Sequence, residues 1–325
     1  MDPDPPVESL VAHWEVGRLR SAQESLRGSR NRIWQLTTDF GRYALRQCRH
    51  AVPDVEREIE LIRYAAARGI PTPEPLRMPD GRCLLVVGGA PYLLFPFVSD
   101  MQIERHAPGP GHLRAMGLFL GDLHLRLRDG PHALVRHRPP LADASASLAR
   151  LDHFEALIRG LDDPVDTDVW LLERLDGRRR CIEAGPDRDP SGYDELAKQP
   201  IHGDYQDQNL FFAEGRVSAV IDWEHAFVGP TAWDVVRFVG LVTQHDAHRS
   251  RAFLRAYLEV APTTWEILDA VALARTWSDT LSLWLYEGIY EQDNERLRRF
   301  VNPPPFDPPW RRWRRLREAL GDDLG

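Results

Sequence analysis

Apolar positions recur with two different periods along this chain, and each period predicts a different kind of element. Over residues 7 to 20, Val7, Leu10, Val11 and Trp14 share one helical face, which predicts a first helix. Arg32-Ile-Trp-Gln-Leu-Thr-Thr then alternates, turns at Asp39-Phe40-Gly41 and returns as Arg42 to Arg46, a β-hairpin. Helical spacing resumes at 54 to 68, with Asp54 expected as N-cap and Gly69 as the stop. Its buried stripe is Val55, Ile59, Ile62 and Ala66, widened by Leu61 and Ala65. Strands are predicted at 82–87 and 92–97, joined by Gly88-Gly89. Beyond them the pattern is mainly helical, at 113–127, 147–161, 168–182, 247–260, 263–291 and 307–320. Residues 129–145 and 183–193, rich in Pro, Gly and Asp, read as loops.

The pattern is interrupted once in the second half. Leu210-Phe211-Phe212 is a strand, Glu214-Gly215 the turn, and Val217 to Ile221 the returning strand. A hairpin of that length folds Asn209 back beside Asp222, with Asp204 just upstream on a loop opened by Gly203. An amide and two carboxylates at one end of a hairpin make a hard-oxygen site suited to Mg2+.

Composition narrows the class without naming a function. The chain has 325 residues, of which 43% are hydrophobic and 28% charged, a balance typical of globular domains. No apolar run approaches the roughly 18 residues of a membrane span, and the acidic start Met-Asp-Pro-Asp-Pro-Pro does not resemble a signal peptide. Three widely spaced cysteines (Cys48, Cys83, Cys181) fit reduced thiols, hence a cytoplasmic location, better than disulfides or zinc. A net charge of -8 argues against general nucleic-acid binding. The basic stretch from Trp310 to Arg317 is expected to be a terminal helix docked by its tryptophans. No oligomeric state is legible.

The order Asp204-x-x-x-x-Asn209 followed by Asp222 at a strand end resembles the core of the eukaryotic-like kinases. The opening His202-Gly203-Asp204 and the ending Ile221-Asp222-Trp223 resemble its small-molecule branch, the aminoglycoside phosphotransferases, choline kinases and related homoserine kinases. The resemblance implies an α+β, two-lobed protein-kinase-like fold. Its small β-rich N-lobe (1–98) would bind nucleotide, and its larger, mainly helical C-lobe (99–325) would hold the catalytic and acceptor sites. It implies ATP and Mg2+, with Asp204 as base and Asn209 and Asp222 as metal ligands. Ser29, Arg30 and Asn31 fall in the phosphate-covering loop, and Arg46 stands where the family commonly has lysine, with Glu58 as its partner. The hinge backbone at Phe95 and Phe97 would read the adenine, since Pro96 lacks an N–H.

Other residues are read with alternatives open. The literal Asp39-Phe40-Gly41 lies in a tight turn and is rejected as a metal motif. Asp234 resembles the aspartate that braces the catalytic loop, His202 is expected to orient the loop, and His124 to pack in the core. Glu224 would contact metal or acceptor, or form a structural ion pair. The expected acceptor is a small-molecule hydroxyl, with a homoserine-kinase-like amino alcohol favoured. An aminoglycoside is the rival, hinted at by Asp279, Glu287, Glu291 and Asp293. A nucleotide-binding pseudokinase is the alternative of another class.

Overall fold

A computed structural model describes residues 6–25, 31–137, 143–186 and 190–321. The first helix, α1 (Val7–Val11), is far shorter than the apolar face predicts. Trp14 still buries itself, donating its indole N–H to the Leu76 carbonyl at 3.1 Å. Gly17 then takes a left-handed φ of +78°, which ends any helical continuation and releases β1 (Leu19–Glu24) as a strand. This strand is mostly exposed at a sheet edge, so it carries no apolar alternation to reveal it.

The hairpin β2 (Arg32–Thr38) and β3 (Gly41–Gln47) forms as predicted, with Thr38 opposite Gly41. Next comes α2 (Val52–Ala67), which starts two residues before the expected position. Pro53 lies in its first turn, where a missing N–H leaves nothing unsatisfied, and Asp54 is a first-turn acid instead of the cap. The strands β4 (Leu85–Val87) and β5 (Ala90–Pro96) complete an antiparallel sheet of order β1-β2-β3-β5-β4.

After a two-residue strand β6 (Met101–Gln102), the chain becomes mainly helical. The central helix α3 (Pro110–Leu127) buries Leu113, Met116, Leu120, Leu123 and Leu127 completely. Then follow β7 (Arg136–His137), α4 (Ala144–Arg159), α5 (Asp166–Ala184) and β8 (Gln199–Ile201). The predicted second hairpin is β9 (Leu210–Ala213) and β10 (Arg216–Val220), with β6 on its outer edge. After β11 (Phe227–Gly229), which joins β8 and β7 in a small sheet, come the helices α6 (Ala232–Leu241) and α7 (Ala247–Leu258).

The stretch expected as one helix over 263–291 is two, α8 (Trp265–Leu281) and α9 (Trp284–Tyr290). Arg178 of α5 accounts for the break. Its guanidinium donates to the carbonyls of Asp279 (3.2 Å), Thr280 (2.8 Å) and Ser282 (2.5 Å), satisfying the end of α8 from outside the helix. The last helix, α10 (Pro309–Leu320), docks by Trp313, whose indole donates to Asp269 at 2.8 Å.

Two cores meet on α2. Val55 and Ile59 pack under the sheet with Cys48, Cys83 and Leu93. Leu61, Ile62 and Ala65 join the large core of α3, α6 and α7. The fold is α+β, a β-rich N-terminal part against a mainly helical C-terminal part.

Candidate active site

The loop after β8 is built around a glycine and a buried acid. Gly203 has φ +78°, and a Cβ there would lie 2.0 Å from the His225 carbonyl oxygen, so no larger residue fits. Asp234, fully buried in the first turn of α6, accepts the N–H groups of His202 (3.0 Å) and Gly203 (2.9 Å). It is held in turn by His124 Nε2 at 3.2 Å, whose Nδ1 meets the Tyr257 hydroxyl at 3.0 Å. His124 therefore packs in the core, as expected, and also anchors the brace.

His202 has no free nitrogen. Its Nδ1 accepts the Asp204 N–H at 3.2 Å and its Nε2 donates to the Ile221 carbonyl at 3.0 Å. Burial pushes its pKa down, so the ring is neutral and ties the loop to the strand that delivers Asp222.

Asp204 is 5% exposed and both its oxygens are engaged. Oδ2 accepts from Gln206 Nε2 (2.8 Å) and Asn209 Nδ2 (2.9 Å), and Oδ1 from the Arg237 guanidinium. Burial opposes its ionisation, but Arg237 and then His225 outweigh that and hold the carboxyl below its usual range. With its amide nitrogen turned to Asp204, Asn209 points its oxygen the other way. The ladder carries on from β10, with the Ile221 N–H on the Asn209 carbonyl at 2.9 Å, so Asp222 arrives beside Asn209.

Asp222 occupies the left-handed region (φ 71°, ψ 60°), one that Asp and Asn tolerate best among side chains with a Cβ. Burial, then the charges of Glu224 and Asp204, push its pKa well above the usual value. Crowded hard-oxygen acids of this kind fit a divalent cation. Among the described residues no trio of His, Cys, Asp or Glu forms a cage by itself. A site completed by phosphate oxygens and water does not need one.

From the N-terminal part, Arg46 reaches the same place. It pairs with Glu58 at 2.7 Å, the two being 7% and 6% exposed. Arg46 Nε and Glu58 Oε1 are buried without a hydrogen-bond partner. Arg46 also acts electrostatically on Asp222 and Glu224. Asn31 bridges the two parts, donating from Nδ2 to Glu224 and accepting the Arg49 N–H at 3.1 Å. Glu224 is thus tied to the N-terminal part. Ser29 and Arg30 lie outside the described residues.

The expectation for the hinge is corrected in its detail. The Phe97 N–H donates to the Arg42 carbonyl at 3.1 Å, and the register Ala44 opposite Phe95 turns the Phe95 amide to β3 as well. In an antiparallel ladder the alternate residues face the other edge, and those are Pro96 and Val98.

Arg237 was not anticipated. The signal was a lone cation inside the apolar run Val235-Val236-Arg237-Phe238-Val239, since a charge on a buried helix face needs a partner. Three of the four acids expected to hint at a cationic acceptor are in ion pairs. Glu291 pairs with Arg150 at 2.7 Å, Glu287 with Arg150 at 3.8 Å, and Asp279 with Arg275 at 3.3 Å.

A small antiparallel sheet with one bridging helix, set over a helical part that presents Asp204, Asn209 and Asp222 from a loop and hairpin, is the architecture of the protein-kinase-like phosphotransferases. The chain belongs to the phosphotransferase enzyme family (APH), whose sequence model matches residues 22–271. It is 26% identical over 310 residues to the homoserine kinase of Parvibaculum lavamentivorans, covering 93% of this chain and 90% of that one. To the homoserine kinase of Methylobacterium sp. (strain 4-46) it is 30% identical over 241 residues, covering 72% and 68%. Among solved structures, spectinomycin phosphotransferase APH(9)-Ia with ADP and spectinomycin superposes with a TM-score of 0.65 at 14% identity, covering 90% of each chain. A microcompartment-associated aminopropanol kinase does so with 0.62 at 15% identity, covering 98% of each. The chain is therefore a small-molecule phosphotransferase by family.

Proposed function

We propose that the protein transfers the γ-phosphoryl group of ATP to a hydroxyl of a small metabolite, with a homoserine-like amino alcohol as the favoured acceptor. The observation that carries this is the convergence of Asp204, Asn209 and Asp222 at one end of the β9–β10 hairpin. Asp204 orients the acceptor hydroxyl and takes its proton as the new O–P bond forms and the bond to the leaving ADP breaks. Asn209 and Asp222 would hold Mg2+, which when bound offsets charge on the phosphate oxygens. Arg46, fixed by Glu58, adds a cation on the phosphate side, where its planar fork suits bidentate contact. The nucleotide lies against residues 1–98, with the Pro96 carbonyl and Val98 N–H as the hinge groups that read adenine. Residues 99–325 supply the catalytic loop and the acceptor site. Such a transfer needs positioning and electrostatic stabilisation and no covalent enzyme intermediate.

The homoserine kinases among the relatives favour the amino-alcohol acceptor. An aminoglycoside acceptor is less favoured, because Glu287 and Glu291 already share Arg150 and Asp279 pairs with Arg275. The test is Mg2+-dependent ADP formation across amino alcohols, sugars and aminoglycosides. Acceptor-stimulated turnover is expected, reduced at least ~10³-fold by Asp204→Asn. Turnover that survives Asp204→Asn unchanged would sink the assignment of the base.

A further inference from the structure

A second polar cleft lies away from the catalytic loop, between α10 and the turn that joins α6 to α7. It encloses about 210 Å³ and is lined by Gln244, His245, Arg312, Arg315, Leu316 and Ala319. One wall is the turn itself, where Gln244 and His245 are consecutive left-handed residues. The His245 N–H is held by the Val239 carbonyl at 3.1 Å. Its ring lies over Gly240, where an added Cβ would come within 3.4 Å of the ring Cε1. The imidazole is therefore fixed, yet its Nδ1 is buried with no hydrogen-bond partner among the described residues.

The other wall is α10, on which Arg312 and Arg315, three residues apart, share one face. Arg312 Nε is also buried without a partner among the described residues. One carboxylate serves both guanidiniums. Asp307 accepts from Arg315 at 3.0 Å and stands 3.8 Å from Arg312, beyond hydrogen-bond range. Asp246, beside His245 in sequence, is occupied as the cap of α7, accepting the Arg249 N–H at 2.8 Å. The cleft thus carries surplus positive charge on a chain whose net charge is -8.

These groups suit an oxyanion with more than two oxygens. Two planar guanidinium forks and a ring nitrogen offer donors from both walls, whereas a carboxylate would satisfy one fork only. Burial, then Arg312 and Arg315, keep His245 neutral near pH 7, and a neutral ring can still donate from Nδ1. The volume equals that of several waters, room for a phosphate with a small organic substituent. Leu316 and Ala319 give that substituent an apolar wall.

We propose that this cleft is a second, non-catalytic site that binds a small phosphate monoester, with Arg312 and Arg315 on the phosphate and the His245 ring as a third donor. Helix α6 separates it from the catalytic loop. Asp234 braces that loop from the first turn of α6, and the cleft lies past its last turn, roughly 15 Å of helix away.

Isothermal titration calorimetry at constant ionic strength tests this, with glycerol 3-phosphate, inorganic phosphate and glycerol as the probes. Saturable binding of glycerol 3-phosphate is expected, tighter than that of inorganic phosphate, with none for glycerol. The double replacement Arg312→Gln with Arg315→Gln should weaken it at least about tenfold. Asp307→Asn, which removes the competing carboxylate, should tighten it by about threefold, a gain that a folding defect cannot imitate. Absence of saturable binding to the unaltered protein overturns the proposal. So does an affinity that neither the arginine replacements nor Asp307→Asn changes, since the phosphate is then held elsewhere. Inorganic phosphate binding as tightly as the monoester would overturn the choice of ligand.

Discussion

Asp222 is the residue most at odds with its surroundings. Its folded pKa is raised above the unfolded value, by burial and by Glu224 and Asp204. The native state therefore binds the more protons above the usual carboxylate range, and this group's contribution to stability is lost as pH rises. Asp222→Asn removes the charge and keeps a side chain that accepts the left-handed backbone at φ 71°. In the absence of nucleotide the variant should be more stable at pH 7 by about 1 kcal/mol. That gain should shrink as pH falls toward 4, while turnover drops at least ~10²-fold. Urea denaturation at the two pH values beside an ADP-release assay checks all three parts.

Site residues differed in how far the sequence revealed them. Asp204, Asn209 and Asp222 were legible because a hairpin is local and its register follows from its length. Glu58 was legible as a charge beside a buried helical face. Arg237 was not assigned, because its partner lies on a separate element brought near only by the tertiary fold. Arg46 in the usual lysine position has a plain context in composition. The chain has a single lysine, Lys198, so arginine stands almost everywhere for a basic residue.

At the scale of elements, α2, α3 and the two hairpins follow from their apolar periods, but edges and breaks do not. The strand β1 is exposed, and the division of α8 from α9 depends on Arg178, about a hundred residues earlier in the chain. The bend between α6 and α7 carries a histidine that distant residues perturb. Gln244 and His245 both adopt positive φ there, at 55° and 59°. Burial, then Arg312 and Arg315 of α10, hold the pKa of His245 down to about 4. With the folded value below the unfolded one, the unfolded chain binds more protons between about 4 and 6.5. Stability is therefore lost as pH falls through that window, by at most about 3 kcal/mol from this group. His245→Asn, which tolerates the left-handed backbone, should flatten the dependence. The readout is the difference in denaturation midpoint between the two proteins from pH 7 to pH 4.5, and equal slopes would exclude His245 as its source.

The whole molecule turns on α2, which buries one face in the sheet core and the other in the helical core. A two-lobed plan was legible in the sequence. The sharing of one helix by both cores was not, because apolar periodicity reports that a face is buried without saying against what. Glu58 sits on that helix between the two cores, and its pair with Arg46 is enclosed on both sides. Breaking a buried pair commonly costs roughly 3–5 kcal/mol, because the survivor is left uncompensated. Here the two halves of the pair should not be equivalent. Without Glu58, Arg46 still faces Asp222 and Glu224, which take over part of its compensation. Without Arg46, Glu58 joins those two acids in a cluster that has lost its nearest cation. Arg46→Met should therefore destabilise the nucleotide-free protein more than Glu58→Leu, by roughly 1–2 kcal/mol. The double replacement should recover most of the loss and none of the ATP affinity. Chemical denaturation of the four proteins without nucleotide, with nucleotide titrations alongside, completes the cycle. Equal losses for the two single replacements would mean that Arg46 serves Glu58 alone and gives nothing to the acids of the catalytic cluster.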